Sequence, residues 1–215
     1  MKRIIVIFIL LIISTGLYAE ISAVFSEVSG KVEIKSPGEP WKKAETNMTL
    51  NKGDIISTGF RAEAVLKIGP SQLIVKQLTR MELEELVEKE GTVSTGLNLR
   101  VGKIKAEVRT TEGLRQNFRL TSPISTAAVR GTSFEYDGVN LKVFEGTVAF
   151  TNKRGQTRSV RIGEASRISG VTLPSSAEEA AEALAAVIPS TVNIPDIVQI
   201  FEDLTNITII LDWGL

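Results

Sequence analysis

Gly30-Lys31-Val32-Glu33-Ile34, Gly102-Lys103-Ile104-Lys105-Ala106 and Gly146-Thr147-Val148-Ala149-Phe150 share one pattern. Each is a glycine, a polar residue, a β-branched residue, a spacer and an apolar residue. Apolar side chains two positions apart mark a strand with one buried face. A larger echo links Gly30 to Leu50-x-x-Gly53-Asp54 and Gly146 to Val160-x-x-Gly163-Glu164. Units of this kind would stack and bury one face per strand along a shared core. Their spacing is uneven, so this is a quasi-repeat, and chance similarity among glycine-led strands is the plain alternative. The expected fold is mainly β: a β-sandwich or a solenoid-like β-roll of short Gly-punctuated strands, with a small α-helical C-terminal tail.

Moving outward, turn signals separate further strand candidates. Pro37-Gly38 breaks the first run, Gly53-Asp54 opens Ile55-Ile56, and Thr58-Gly59 closes it. Ala62, Ala64, Leu66 and Ile68 fall on one face of a strand that Gly69-Pro70 ends. Residues 80–90 fit two patterns. Met81 and Leu83 alternate as in a strand, while Leu83, Leu86 and Val87 fit a helical face. The β domain is expected over residues 24–170.

After Gly170 the composition changes, and residues 171–215 are expected to form a linker and a helical, apolar tail. Ser176-Ala177-Glu178-Glu179 fits a capping box, and Ala177 to Val187 is rich in good helix formers. Pro189 stops that helix. Pro195-Asp196 can open a second, with Ile197, Ile200, Phe201 and Leu204 on one face. Thr208-Ile209-Ile210-Leu211 reads as a short strand or apolar tail, too short to span a membrane. The tail either packs on the β domain or docks to a partner or a second copy.

The N-terminus has Lys2 and Arg3, an unbroken apolar run from Ile4 to Ile13, and small residues before Ala19. This layout predicts a signal peptide over residues 1–19, cut between Ala19 and Glu20, with cuts after Gly16 or Ala23 as alternatives. An exported chain without cysteine cannot hold itself with disulfides or carry a lipid on an N-terminal cysteine. It has to stand on its core.

The chain has 25 basic and 25 acidic residues. Loss of Lys2 and Arg3 leaves a net charge of about −2, which gives no electrostatic case for nucleic acid. There is no histidine, so histidine bases, Ser-His pairs and typical zinc sites are out. No phosphate-cradling glycine loop is present. No cofactor, metal or catalytic residue is expected. A hydrolase using carboxylates alone is the remaining enzymatic reading.

Thr121-Ser122-Pro123-Ile124-Ser125-Thr126-Ala127-Ala128-Val129-Arg130-Gly131-Thr132-Ser133-Phe134-Glu135-Tyr136 resembles the signature of the FecR-domain family. Leu50-x-x-Gly53-Asp54-x-Ile56-x-Thr58-Gly59 and Ala64-Val65-Leu66-Lys67-Ile68-Gly69 resemble that family's first half. Val143-Phe144-Glu145-Gly146-Thr147-Val148 and Gly163-Glu164 resemble its second, so the resemblance covers roughly residues 28–170. Pro123, Ala128, Val129, Arg130, Gly131, Thr132 and Phe134 are the signature positions. Two roles are open to them: holding the fold, or touching a ligand. In the first, a side chain at Gly131 would clash, and Arg130 would clamp a carboxylate or backbone carbonyls. The family's namesake members are membrane-anchored regulators that relay a periplasmic signal to a sigma factor. This chain is expected to depart from that layout, with no cytoplasmic N-terminal region and no second apolar segment long enough to span. The resemblance implies an exported, non-catalytic binding module in signal sensing. It would sit in the periplasm, at the cell surface or in the medium, and bind an envelope protein or a cell-wall component. A structural envelope component, with a spacer domain and a docking tail, is the alternative.

Overall fold

The computed structural model describes residues 21–110, 113–170 and 172–187. In chain order the strands are β1 (Ala23–Ser29), β2 (Val32–Lys35), β3 (Lys42–Lys43), β4 (Thr49–Leu50), β5 (Ile55–Thr58), β6 (Glu63–Ile68), β7 (Ser71–Val75), β8 (Arg80–Lys89) and β9 (Thr92–Val101). They continue with β10 (Ile104–Glu107), β11 (Arg115–Thr121), β12 (Ser125–Val129), β13 (Ser133–Tyr136), β14 (Asn140–Glu145), β15 (Thr147–Asn152), β16 (Thr157–Arg161) and β17 (Ala165–Arg167), and helix α1 (Ala177–Val187) follows.

The strands form two sheets. One has the order β17-β14-β13-β10-β7-β6-β1-β4, the other β16-β15-β12-β11-β9-β8-β5-β2-β3. Alternation drives this. Val32 and Ile34, Ile104 and Ala106, and Val148 and Phe150 are all buried, as are Ala62, Ala64, Leu66 and Ile68. Residues of both sheets share one core, with Phe25, Leu66, Phe134 and Tyr136 from the first and Met81, Leu97, Phe118 and Phe150 from the second. The Tyr136 and Phe150 rings meet across it, edge to face at 6.1 Å.

The architecture is therefore a β-sandwich. The roll reading describes how the chain threads it, because strand order in each sheet nearly follows sequence order. The chain advances by crossing between sheets through short arches. In the first half the arches 30–31, 59–62, 76–79 and 102–103 stack at one end, here called the Phe60 end. In the second half the arches 108–114, 130–132, 146 and 162–164 stack at the other, the Arg130 end. The change of end occurs at β10. It is a single pass between two crossings, so β9 and β11 lie parallel where other neighbours are antiparallel.

The larger echo in the sequence is a repeated hydrogen-bond pattern. The Gly53 N–H donates to Leu83 O and the Leu83 N–H to Asp54 O, while the Asp54 carboxylate accepts from the Asn51 N–H at 2.8 Å. The Gly163 N–H likewise donates to Val143 O and the Val143 N–H to Glu164 O, while the Glu164 carboxylate accepts from the Arg161 N–H at 2.9 Å. The acid closes the turn by satisfying a backbone donor, which is why an acid follows the glycine in both.

Residues 80–89 are a strand. Met81 and Leu83 are buried, and β8 pairs with β5 on one side and β9 on the other. The β5 pairing covers Arg80–Glu82, and the ladder with β9, which continues through Leu86 and Val87 to Lys89, outweighs their helical spacing. The acids face outward, with Glu82 paired to Arg100 at 2.8 Å and Glu84 accepting from Asn98 at 2.7 Å. The capping box of α1 forms as its pattern predicts. The Glu179 N–H donates to Ser176 Oγ at 3.1 Å, and the Ser176 N–H donates to the Glu179 carboxylate at 2.6 Å, which lowers the Glu179 pKa. The expected signal peptide 1–19, its cut between Ala19 and Glu20, the second helix over 195–204 and the segment 208–211 lie outside the described residues. Among the described residues no helix is long and apolar enough to cross a membrane.

Candidate interaction surfaces

The signature stretch builds strand β12, the arch 130–132 and strand β13. Pro123 is exposed in the hairpin between β11 and β12. Behind it lies a buried hydroxyl network. Ser122 Oγ and Ser125 Oγ both donate to Gly138 O, at 3.0 and 2.6 Å, and Ser125 Oγ lies 2.7 Å from Tyr136 Oη. This ties a hairpin of one sheet to a hairpin of the other. Burial pushes the Tyr136 phenol above its ordinary value, and the serine hydrogen bonds offset part of that rise.

Ala128 is exposed on the outer face of β12, while Val129 and Phe134 are buried in the core. Between them the chain turns. Gly131 has φ +62° and nothing within 4 Å of where a Cβ would stand. The expected clash is therefore absent, and glycine is required there by backbone conformation alone. The crowded position is the next arch, where a Cβ on Gly146 would lie 2.6 Å from Thr132 Cγ2 and 2.8 Å from Gly131 O. Arg130 is exposed, with no hydrogen bond or ion pair among the described residues. It clamps neither a carboxylate nor a carbonyl, because its arch leads it away from the sheets into solvent. Thr132 is buried, its carbonyl accepts from the Val108 N–H at 2.8 Å, and its Oγ1 has no partner among the described residues. A shallow pocket of about 360 Å³ lies beside this arch, lined by Thr132, Glu145 and a Glu107–Arg109 ion pair.

The Phe60 end is different. Its arches are joined by threonine hydroxyls. Thr58 Oγ1 donates to Lys76 O at 2.6 Å and accepts from the Thr79 N–H at 2.9 Å. Thr79 Oγ1 accepts from the Lys103 N–H at 3.0 Å. Leu78 N–H donates to Gly59 O, and Arg61 N–H to Gln77 Oε1 at 2.9 Å. This fixed scaffold presents Phe60, Leu78 and Val101 to solvent, at 68%, 58% and 59% exposure. They sit on or beside three successive arches. Strand neighbours are about 4.8 Å apart, so the row spans about 10 Å. Sequence reading found the glycines and Thr58 but not this row, whose signal was an apolar residue inside or next to each turn.

The connecting residues at this end carry more cations than acids, and Glu33, Glu63 and Glu135 of the adjoining strands pair with three of them. Connections at this end carry Lys31, Arg61, Lys76, Lys103, Lys153 and Arg154, against Glu45 and Asp137. Lys76 pairs with Glu63 at 2.6 Å and Lys103 with Glu135 at 2.8 Å. The Glu135 hydrogen bond holds Lys103 above its ordinary pKa. Arg61 has no carboxylate partner among the described residues, and its guanidinium lies over the Phe60 ring at 5.2 Å. Asp137 is engaged by the Val139 and Asn140 N–H groups. Among the described residues no three His, Cys, Asp or Glu side chains group as a metal site.

Comparison with known proteins relates part of this frame to a family. Residues 54–149, from the first glycine-acid turn into β15, match the family described as FecR protein. No curated protein sequence matches the chain. Two crystal structures, each described as that of "a putative anti-sigma factor from Parabacteroides distasonis", are similar at 14% identity. The first has a TM-score of 0.48 over 57% of this chain and 59% of that one. The second has a TM-score of 0.46 over 60% of this chain and 64% of that one. The chain thus spans less than two thirds of either structure.

Proposed function

We propose that this chain, which matches the FecR family over residues 54–149, is an exported, non-catalytic interaction module of the bacterial envelope that takes part in signal sensing. The observation that carries the interaction reading is the exposed Phe60–Leu78–Val101 row on hydrogen-bonded arches. Large apolar side chains held outward on a rigid frame suit protein contact, since burying them removes apolar surface at little further ordering cost. Export rests on the Lys2-Arg3 end and the Ile4–Ile13 run. The partner class is an envelope protein or a cell-wall component.

Cell fractionation with N-terminal sequencing tests export: the mature chain should begin at Glu20 in the envelope or medium. A cytoplasmic chain with Met1 intact overturns it. A photo-crosslinker at Leu78 in intact cells should give one defined protein adduct, absent when the crosslinker stands at Ser159. Adducts of the same yield and identity from both positions would show that the row is not the contact surface. Recovery with peptidoglycan at high abundance would favour the structural envelope component instead.

A further inference from the structure

We infer that residues 197–204 of this same chain dock on the Phe60–Leu78–Val101 row in the free protein. The inference deepens the preceding reading by naming the row's own occupant, and it rests on taking that row as a contact surface.

Three observations carry it. The first is charge. Arg167 is the last basic residue of the chain, and beyond it stand Glu178, Glu179, Glu182, Asp196, Glu202, Asp203 and Asp212. In the arch stack Lys31, Lys76 and Lys103 are already paired with Glu33, Glu63 and Glu135, which leaves Arg61 as the cation without a carboxylate of its own among the described residues, and that acidic stretch can supply one. Opposite charges fix register and orientation where apolar contact supplies most of the affinity.

The second is length. Ile197, Ile200, Phe201 and Leu204 recur at helical spacing. From Ile197 to Leu204 a helix rises about 10 Å, which is the span of the row across two strand spacings. Asp196, Glu202 and Asp203 flank that apolar face in sequence, as the cations flank the row.

The third is reach. Helix α1 packs beside β17, and β17-β14-β13-β10-β7 is four strand spacings, about 19 Å. The residues between Val187 and Ile197 can span about 33 Å when extended. That extended length exceeds the distance from β17 to the centre of the row.

The chain has no cysteine, so introduced pairs are unambiguous. The test uses the full chain with Leu78→Cys and Phe201→Cys, oxidised mildly at low protein concentration. An intrachain disulfide is expected in the monomer. The control pair Ile162→Cys with Phe201→Cys, at the Arg130 end, should remain reduced. Arg61→Glu in the first pair should lower the cross-linking rate by about threefold, the size of a partly exposed ion-pair effect. Equal rates for the two pairs, no cross-link, or disulfide-linked dimers alone would overturn the inference, the last by making a second copy the occupant. Each variant is first matched to the parent by urea midpoint, and Val101→Cys replaces Leu78→Cys if the latter does not fold. The readout uses purified protein alone, so it fails or succeeds independently of any partner captured in cells.

Discussion

The two stacks of arches use the same local pattern to different ends. At the Phe60 end, threonine hydroxyls bond one arch to the next, and the residues between them face outward. At the Arg130 end, Thr132 is equally buried, but its hydroxyl bonds nothing among the described residues. There the arches are held by backbone contacts such as Val108 N–H to Thr132 O and by the close approach of Gly146. A satisfied hydroxyl stiffens a displayed turn, whereas an unsatisfied one is a cost that the surrounding packing has to offset. Similar sequence patterns therefore carry different loads, and the load depends on the neighbouring arch.

The sharpest way to break this comparison is through two glycines. A Cβ on Gly102 would stand 2.4 Å from Thr79 Cα and 2.3 Å from Thr79 Oγ1, at φ +99°. Gly102→Ala should cost about 3 kcal/mol or more, since backbone must move and the hydroxyl bond to Lys103 is lost. Gly131→Ala meets no atom and should cost only about 1 kcal/mol, the strain of its positive φ. Urea unfolding of both variants measures the difference, and equal losses would show that crowding at Gly102 adds nothing to the strain of a positive φ.

The threonines sharpen it further. Thr79→Val removes the acceptor for the Lys103 N–H and should destabilise by about 1–3 kcal/mol. Thr132→Val keeps the shape, removes an unpaired buried hydroxyl, and should be neutral or stabilising by up to about 1 kcal/mol. A matched loss in both variants, read by thermal unfolding, would mean that Thr132 has a partner in solution.

Tyr136 gives a pH signature at the hairpin end of the signature stretch. Its folded pKa lies above the ordinary value because burial disfavours the phenolate. The neutral phenol is thus favoured by folding. That stability is fully present below about pH 10 and is lost as pH rises from there through the raised folded value. Unfolding midpoints between pH 8 and 11 should fall at the alkaline end, and Tyr136→Phe should flatten that fall while losing the Ser125 hydrogen bond.

The smallest effect is expected at Arg130. An exposed side chain with no partner among the described residues should cost less than about 0.5 kcal/mol on Arg130→Ala. A larger loss in urea midpoint would restore the clamp that the sequence suggests. An unchanged midpoint with weakened partner binding would make Arg130 a contact residue.

Much of the fold was legible. Val32 and Ile34, Ile104 and Ala106, and Val148 and Phe150 announce buried strand faces because the strand period is two. Gly53-Asp54 and Gly163-Glu164 announce one turn, because the acid and the glycine each serve a local backbone requirement. Ser176 and Glu179 announce the start of α1 for the same reason. The site was less legible. Gly131 looked crowded and is open, while Gly146 is the crowded one, since contact between arches joins residues far apart in sequence.

What the sequence determined by itself was whatever depends on neighbours along the chain: strand periodicity, turn chemistry, the helix cap, the cysteine-free core and the acidic tail. Tertiary structure decided which end of the sandwich each arch occupies. It made residues 80–89 a strand by pairing β8 with β9 along its length and with β5 over Arg80–Glu82. It also set Phe60, Leu78 and Val101 in one row. The first of these outcomes follows from the parallel step between β9 and β11 and the other two from the stacking of β5, β8 and β9, pairings between distant segments that no local pattern in any one strand encodes.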